Sequence, residues 1–255
     1  MPNDEAGLQN EVSNGSGNEA GSTGESGSHA LINQWTVVLA IVTVGTLVST
    51  LLCSALHGEK LNSLYIFMMI FLWFNAVCGV LEIACLYIGR DHLKQEFARV
   101  RGGYHGQGLK LLLAAFNEPV NRQNLFSIKD WSKLFVAWGV LDRDYATQNS
   151  FGYLGEVGNG VFTIIPTCAV LLGLTFPVFP ATVVGIIGVA FWYQTIWGTL
   201  VYVLGLWKFA DNSENSLMGN IVLIGGNFPW LILPMLGVYT SVRLILDNSF
   251  QVFFN

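Results

Sequence analysis

Two carboxylic acids sit in apolar surroundings in this sequence, Glu82 within the run 64–88 and Glu156 within the run 151–174. A charged side chain at the centre of a bilayer costs roughly 2.5–3.5 kcal/mol on insertion scales, so such residues persist when protonated, paired or lining a cavity. Two carboxyls in a water-poor pocket can do acid–base chemistry, a neutral one donating a proton and an ionised one removing one. Acting on an alkene, they would shift a double bond through a carbocation. Trp230 could stabilise that cation through its ring face by ~2 kcal/mol or more when desolvated. Asn75, Cys78 and Glu82 recur at i, i+3 and i+7 and therefore share one helix face. Further polar residues interrupt the later apolar runs: Gln194 and Tyr202 in one, Asn227-Phe228-Pro229-Trp230 followed by Pro234 in another. Proline within a span frees a backbone carbonyl, which is tolerable only against protein or a cavity. The expectation is a polar-lined pocket inside a helical bundle. Glu82, Glu156, Asn227 and Trp230 would be its catalytic groups, with Asn75, Cys78, Gln194 and Tyr202 in support. A role limited to hydrogen-bonding helices together accounts for one such residue more readily than for two acids, an amide and an indole jointly.

Other chemistries lack a foothold. The four cysteines, Cys53, Cys78, Cys85 and Cys168, all fall in apolar runs without CxxC spacing, so they read as small packing residues rather than disulfides or metal ligands. His29, His57, His92 and His105 form no HxxxH or HExxH pattern, and no metal site is expected. No Walker or dinucleotide-binding glycine pattern lies between a strand and a helix. Gly152-x-x-Gly155-x-x-Gly158 and Gly185-x-x-Gly188 read, in a membrane segment, as surfaces for close helix packing.

These residues must be positioned by membrane-crossing helices. Hydrophobic residues make up 52% of the chain and charged ones only 11%, against about 25% charged in a soluble domain. Five runs are long enough to cross a ~30 Å hydrocarbon core, near 35–56, 64–88, 151–176, 183–207 and 221–246. The expected fold is an all-α integral membrane protein, a five-transmembrane-helix bundle. Residues 1–34 are rich in Gly, Ser, Asn and Glu and carry no Lys or Arg; they read as a disordered polar tail. They are also too polar for a signal peptide. Residues 247–255 read as a short C-terminal tail. Nine of the twelve Lys and Arg lie between Arg90 and Arg143, in the connection joining the second and third spans, which the positive-inside rule places in the cytoplasm together with the N-terminal tail. Within that connection, 109–116 and 131–140 are apolar stretches too short to cross. They are either helices lying at the interface or a folded cap over the bundle.

Several blocks of this sequence resemble the emopamil-binding proteins, sterol Δ8–Δ7 isomerases that share the EXPERA membrane domain. Asp142-Arg143-Asp144-Tyr145, with Glu156 fourteen positions after Asp142, is similar to the family's Asp-Ser-Arg-Tyr block and third-helix glutamate. Asn227-x-x-Trp230-x-x-x-Pro234 resembles its last-helix segment, Gly198-x-x-x-Tyr202 part of its fourth helix, and Glu82 with Leu86-Tyr87 its second-helix glutamate. The likeness covers roughly 35–246. It implies an endoplasmic-reticulum, multi-pass protein whose lateral pocket takes a sterol-like or terpenoid small molecule from the lipid bilayer, with Asp142 and Tyr145 supporting the site. It implies no cofactor and no nucleic acid; a homodimer is one assembly such a chain could form. The chain also departs from the family: Cys78 stands where the isomerases carry a histidine four residues before the second-helix glutamate, and Asp144 replaces the arginine of the block. Gln194 stands one residue further from Gly198 than the family's glutamine. This is the pattern of a divergent member, either an isomerase or cyclase working by proton transfer, or a non-catalytic sterol or lipid binder. A transporter would predict internal repeats of the spans, and none is visible.

Overall fold

Polar residues at the ends of the apolar runs fix where the helices begin and stop. Helix α1 (Gln34–His57) starts at Asn33, whose side chain accepts from the Thr36 amide at 2.8 Å. It stops at Gly58, where a left-handed φ of 67° lets the Gly58 amide donate back to the Ser54 carbonyl at 2.9 Å. Helix α2 (Ser63–Glu82) is capped by Asn62 and runs on into a π-helical turn over Ile83–Ile88. The connection then folds as α3 (Arg90–Arg101), α4 (Gly108–Phe116) and α5 (Ile128–Leu141). The third span is α6 (Phe151–Gly158), a second π-helical turn (Asn159–Thr163) and α7 (Ile164–Thr175). The fourth is α8 (Ala181–Lys208), and the fifth is divided into α9 (Leu217–Gly225) and α10 (Pro229–Asp247). The computed structural model describes residues 32–101, 103, 107–120, 124–142, 151–176, 178–208 and 216–255; Tyr145 and residues 1–31 of the polar tail lie outside them.

Among the described residues five helices are long and apolar enough to cross a membrane, Gln34–His57, Ser63–Ile88, Tyr153–Thr175, Ala181–Trp207 and Leu217–Asp247. Large aliphatic residues point outward along them: Leu51 is 61% exposed, Ile165 74% and Leu246 72%. Such a surface is untenable in water and natural in lipid. The chain is an all-α membrane bundle. Its sidedness follows from two short pairings. Strand β1 (Ile32–Asn33) pairs antiparallel with β2 (Pro119–Val120) in the connection, while Leu61 in the α1–α2 loop bridges Phe254 at the C-terminus. An odd number of crossings requires these two pairings to lie on opposite faces.

One boundary differs from the sequence reading. Residues 32–34 are not tail: Ile32 and Asn33 form β1, and Gln34 opens α1. The C-terminal stretch is docked, with Phe253 buried edge-on against Tyr65, the Asn62 amide donating to its carbonyl at 2.8 Å, and the Asn255 amide donating to Lys60.

The core packs α2 and α8 around Tyr65, Met68, Met69, Phe71, Phe191 and Trp192. Helices α8 and α10 approach closely at glycines: a Cβ at Gly185 would stand 2.7 Å from the Ser241 carbonyl oxygen, and one at Gly237 would overlap the Trp192 indole. Trp192 Nε1 donates to Ser241 Oγ at 3.1 Å across this seam. The Gly185-x-x-Gly188 pattern therefore marks a packing surface.

Candidate functional site

Glycine also sets the meeting of the second and third spans. A Cβ at Gly160 would stand 3.0 Å from Glu82 Cβ and 3.1 Å from the Gly79 carbonyl oxygen, so the two helices touch through Gly79 and Gly160. That approach presses Glu82, which is 6% exposed, against the third span. There Asn159 Nδ2 donates to both carboxylate oxygens of Glu82, at 2.9 and 3.2 Å. Thr163 Oγ1 donates to the Asn159 backbone carbonyl at 2.5 Å and stands 3.2 Å from Asn159 Oδ1, and the carboxylate oxygens of Glu82, which need a donor, face the amide nitrogen. Glu156, one turn before Asn159 and on the same helix face, is half-buried. Each acid adjoins a π-helical turn: Ile83–Ile88 follows Glu82, and Asn159–Thr163 begins three residues after Glu156. Single π turns inside α-helices occur often at functional sites, because they displace side chains from the regular helical register.

A third acid stands behind this pair. Asp142 ends α5, is 1% exposed and accepts from Tyr202 Oη on α8 at 2.7 Å. Trp138 Nε1 donates to the same hydroxyl at 3.3 Å. Tyr202 lines the same cavity as Glu156. The end of α5 is thus tied to the fourth span beside the acids.

The facing wall comes from the break in the fifth span. At residues 226–228 the backbone tightens: the Asn227 amide donates to the Ile224 carbonyl and the Phe228 amide to Gly225, both at 3.1 Å. The Leu223 carbonyl, which an unbroken helix would have paired with the Asn227 amide, accepts instead from Asn227 Nδ2 at 2.8 Å. Pro229 then opens α10 at a position where its missing N–H costs nothing. Trp230 follows, packed at 5.3 Å from the Phe74 ring, with its Nε1 donating to Asn75 Oδ1 at 3.2 Å. Asn75 Nδ2 in turn donates to Thr167 Oγ1 at 3.0 Å, so Asn75 locks Trp230 to the second and third spans.

These walls enclose a cavity of about 600 Å³ lined by Glu82, Glu156, Cys78, Gln194, Tyr202, Asn227 and Trp230. Small-molecule sites commonly measure roughly 300–1,000 Å³. Seven of the residues singled out from the sequence therefore share one space. Asn75 and Asp142 do not line it and act through Trp230 and Tyr202; Tyr145 lies outside the described residues. Two contributions escaped the sequence reading, and one alternative that it left open is decided. Asn159 carried a legible signal, a polar residue one turn from Glu156 in an apolar run. Leu112, Phe116, Leu134, Phe135 and Trp138 bring α4 and α5 into the cavity wall, so the connection is a cap rather than a pair of helices lying flat at the interface. Gly155 and Gly158 line the cavity instead of packing against another helix, since a Cβ at Gly155 would meet nothing within 4 Å and one at Gly158 only Phe162 of the same span. Among the described residues no cluster of His, Cys, Asp and Glu could hold a metal ion.

Compared with protein-family profiles, curated proteins and solved structures, the chain matches none.

Proposed function

We propose that this protein is a membrane-embedded isomerase or cyclase that moves protons on an apolar metabolite carrying an alkene, a sterol, a terpenoid or a molecule of similar shape. The observation that carries the reading is that Glu82 and Glu156 line one cavity that also holds the Trp230 indole. One carboxyl delivers its proton to an alkene carbon, and the electron pair of the double bond forms the new C–H bond. The adjacent carbon becomes cationic within reach of the Trp230 ring face, where the quadrupole attracts it. The second carboxylate then takes a proton from a neighbouring carbon, and that C–H pair becomes the shifted double bond. Protons in and out balance, so the cycle needs no redox partner. Cyclisation differs only in that a second alkene attacks the cation before the proton leaves.

Two like charges in one site poor in water are costly, so the pair works with one proton between its two carboxyls. Asn159 holds Glu82 in position for this exchange, and the Tyr202–Asp142 hydrogen bond fixes the wall beside Glu156. The resemblance of Glu82, the Asp142–Glu156 spacing and Asn227-x-x-Trp230-x-x-x-Pro234 to the emopamil-binding type supports the same chemistry and an endoplasmic-reticulum membrane. One observation favours a second reading, a non-catalytic sterol or lipid binder: Cys78, on the cavity, offers a thiol where the isomerases have an imidazole. Microsomes containing the chain, supplied with a panel of sterols and terpenoids, separate the two readings. The enzyme yields a product of unchanged mass and altered retention, whereas a binder returns the substrate while retaining a radiolabelled sterol saturably.

A further inference from the structure

Among the described residues three amide side chains line the cavity, those of Asn159, Gln194 and Asn227, and two of them are committed within the protein. Asn159 serves the Glu82 carboxylate, and Asn227 Nδ2 serves the Leu223 carbonyl. The hydroxyls on the α8 wall are committed as well. Thr195 Oγ1 donates to the Phe191 carbonyl at 3.0 Å, Thr199 Oγ1 to the Thr195 carbonyl at 2.8 Å, and Tyr202 Oη to Asp142. Gln194, on the same wall, is exposed to the cavity and makes no hydrogen bond to any described residue. A free amide within a membrane span is costly unless something hydrogen-bonds to it. This one presents a donor and an acceptor at a single point. A hydroxyl group satisfies both, whereas a hydrocarbon satisfies neither.

Gln194 also stands far from the acids. The second and fourth spans run in the same direction, and the Phe71 ring on α2 lies 5.6 Å from the Trp192 ring on α8, which sets a common level. From that level Glu82 is eleven residues on, Tyr202 ten and Gln194 only two. At about 1.5 Å per residue, Glu82 and Tyr202 share one depth, and Gln194 lies roughly 12 Å away along the bundle, on the side remote from the α4–α5 cap.

We infer that Gln194 is a substrate-binding residue that takes a hydroxyl group at the end of the molecule remote from the reacting alkene. The substrate class is then a hydroxylated apolar metabolite whose oxygen and alkene are separated by on the order of 10 Å. This inference narrows the isomerase or cyclase reading, on which it rests, because a hydrocarbon without oxygen would reach the acids and leave Gln194 unpaired. A site built to bond a hydroxyl rejects the analogue that lacks one.

The test needs no turnover. The full chain in nanodiscs binds tritiated 5α-cholestan-3β-ol and, separately, tritiated hexahydrofarnesol; each is displaced by the unlabelled alcohol and by its parent hydrocarbon, 5α-cholestane or farnesane. All four probes are saturated, so the acids cannot convert them. The expected result is that at least one alcohol binds tenfold or more tightly than its hydrocarbon. Gln194→Met, of similar length without the amide, should weaken that alcohol at least tenfold and the hydrocarbon less than threefold. Gln194→Leu gives the same result where the methionine variant fails to fold, and Gln194→Asn keeps a reduced preference. Glu82→Gln and Glu156→Gln keep the wild-type preference, since the acids stand at the other end. Equal binding of alcohol and hydrocarbon by the wild type, the result if only water meets the amide, overturns the inference. So does a preference that survives Gln194→Met, or one that is lost in the Glu82 or Glu156 variants. An alcohol preference carried by Gln194 in a chain without turnover leaves the inference standing and removes only the catalytic reading. Turnover without that preference does the reverse.

Discussion

Asn159 and Glu82, on different spans, are joined by a forked hydrogen bond in which one amide nitrogen serves both carboxylate oxygens, at 2.9 and 3.2 Å. A hydrogen bond to a charged group contributes about 1.5–3 kcal/mol, and inside a bundle it also fixes the rotamer. Asn159→Leu is expected to lower turnover by roughly 10–100-fold, in line with the loss of a positioning contact of that strength. Asn159→Gln, which keeps the amide, recovers part of the loss. A structural role alone would lower the yield of folded protein and leave kcat and its pH profile unchanged, so steady-state kinetics across pH on the detergent-purified variants decides the point.

The same joint depends on Gly160, whose added Cβ would meet Glu82, Gly79 and Ile83 between 3.0 and 3.2 Å. Overpacking of this kind costs about 1–3 kcal/mol and moves backbone. Gly160→Leu should lower the thermal unfolding midpoint in detergent and abolish turnover, because the third span is pushed off Glu82. Gly160→Ala should give a smaller change of the same sign. A stable, fully active leucine variant contradicts the contact.

Trp230 is predicted to act on the cation and not on binding. Loss of a desolvated cation–π contact of ~2 kcal/mol corresponds to roughly 30-fold in kcat. Trp230→Leu should show that drop with little change in KM, and Trp230→Phe should recover part of it. A change confined to KM would make Trp230 a packing wall.

Outside the membrane, Lys133 bridges Glu118 and Asp130 from α5, the helix that carries Trp138 to the cavity. The Glu118 hydrogen bond, ahead of the opposing effect of burial, moves the Lys133 ammonium above the usual lysine value. A raised folded value means the contribution is fully present below about pH 10, the ordinary lysine range, and fades as pH rises through the folded value. With a Lys133 side chain 44% exposed, solvent screening holds the contribution under ~1 kcal/mol. Lys133→Met should therefore lower stability slightly, to the same extent at pH 6 and pH 9, and the difference should shrink in high salt. A loss of several kcal/mol, or one that appears only at alkaline pH, is inconsistent with this ion pair.

Much of the bundle was legible because lipid imposes a simple rule: apolar runs of crossing length become helices, and polar residues within them turn inward. The convergence of Glu82, Glu156, Asn227 and Trp230 on one cavity follows from that rule applied span by span. The π-helical turns beside the acids left no mark in the sequence. The break at 226–228 was half visible: Pro229 and Pro234 announced a disturbance, but not that the Asn227 side chain would replace the missing backbone donor to Leu223. Apolar stretches in the connection have the same pattern whether they lie on lipid or roof a cavity, and only tertiary packing brought Trp138 to Tyr202. The Gly155 and Gly158 spacing misled for a related reason, because a glycine that admits a helix and a glycine that leaves a hole look alike in sequence.

The central claim is that Glu82 and Glu156 move protons on a bound alkene. Microsomes containing the chain, incubated with sterol and terpenoid substrates in deuterated water, should form an isomerised or cyclised product carrying deuterium at the protonated carbon. Glu82→Gln and Glu156→Gln should each cut its formation by roughly 10²–10⁴-fold, the usual contribution of a positioned acid or base. A product free of deuterium, or full turnover in either glutamine variant, contradicts the account.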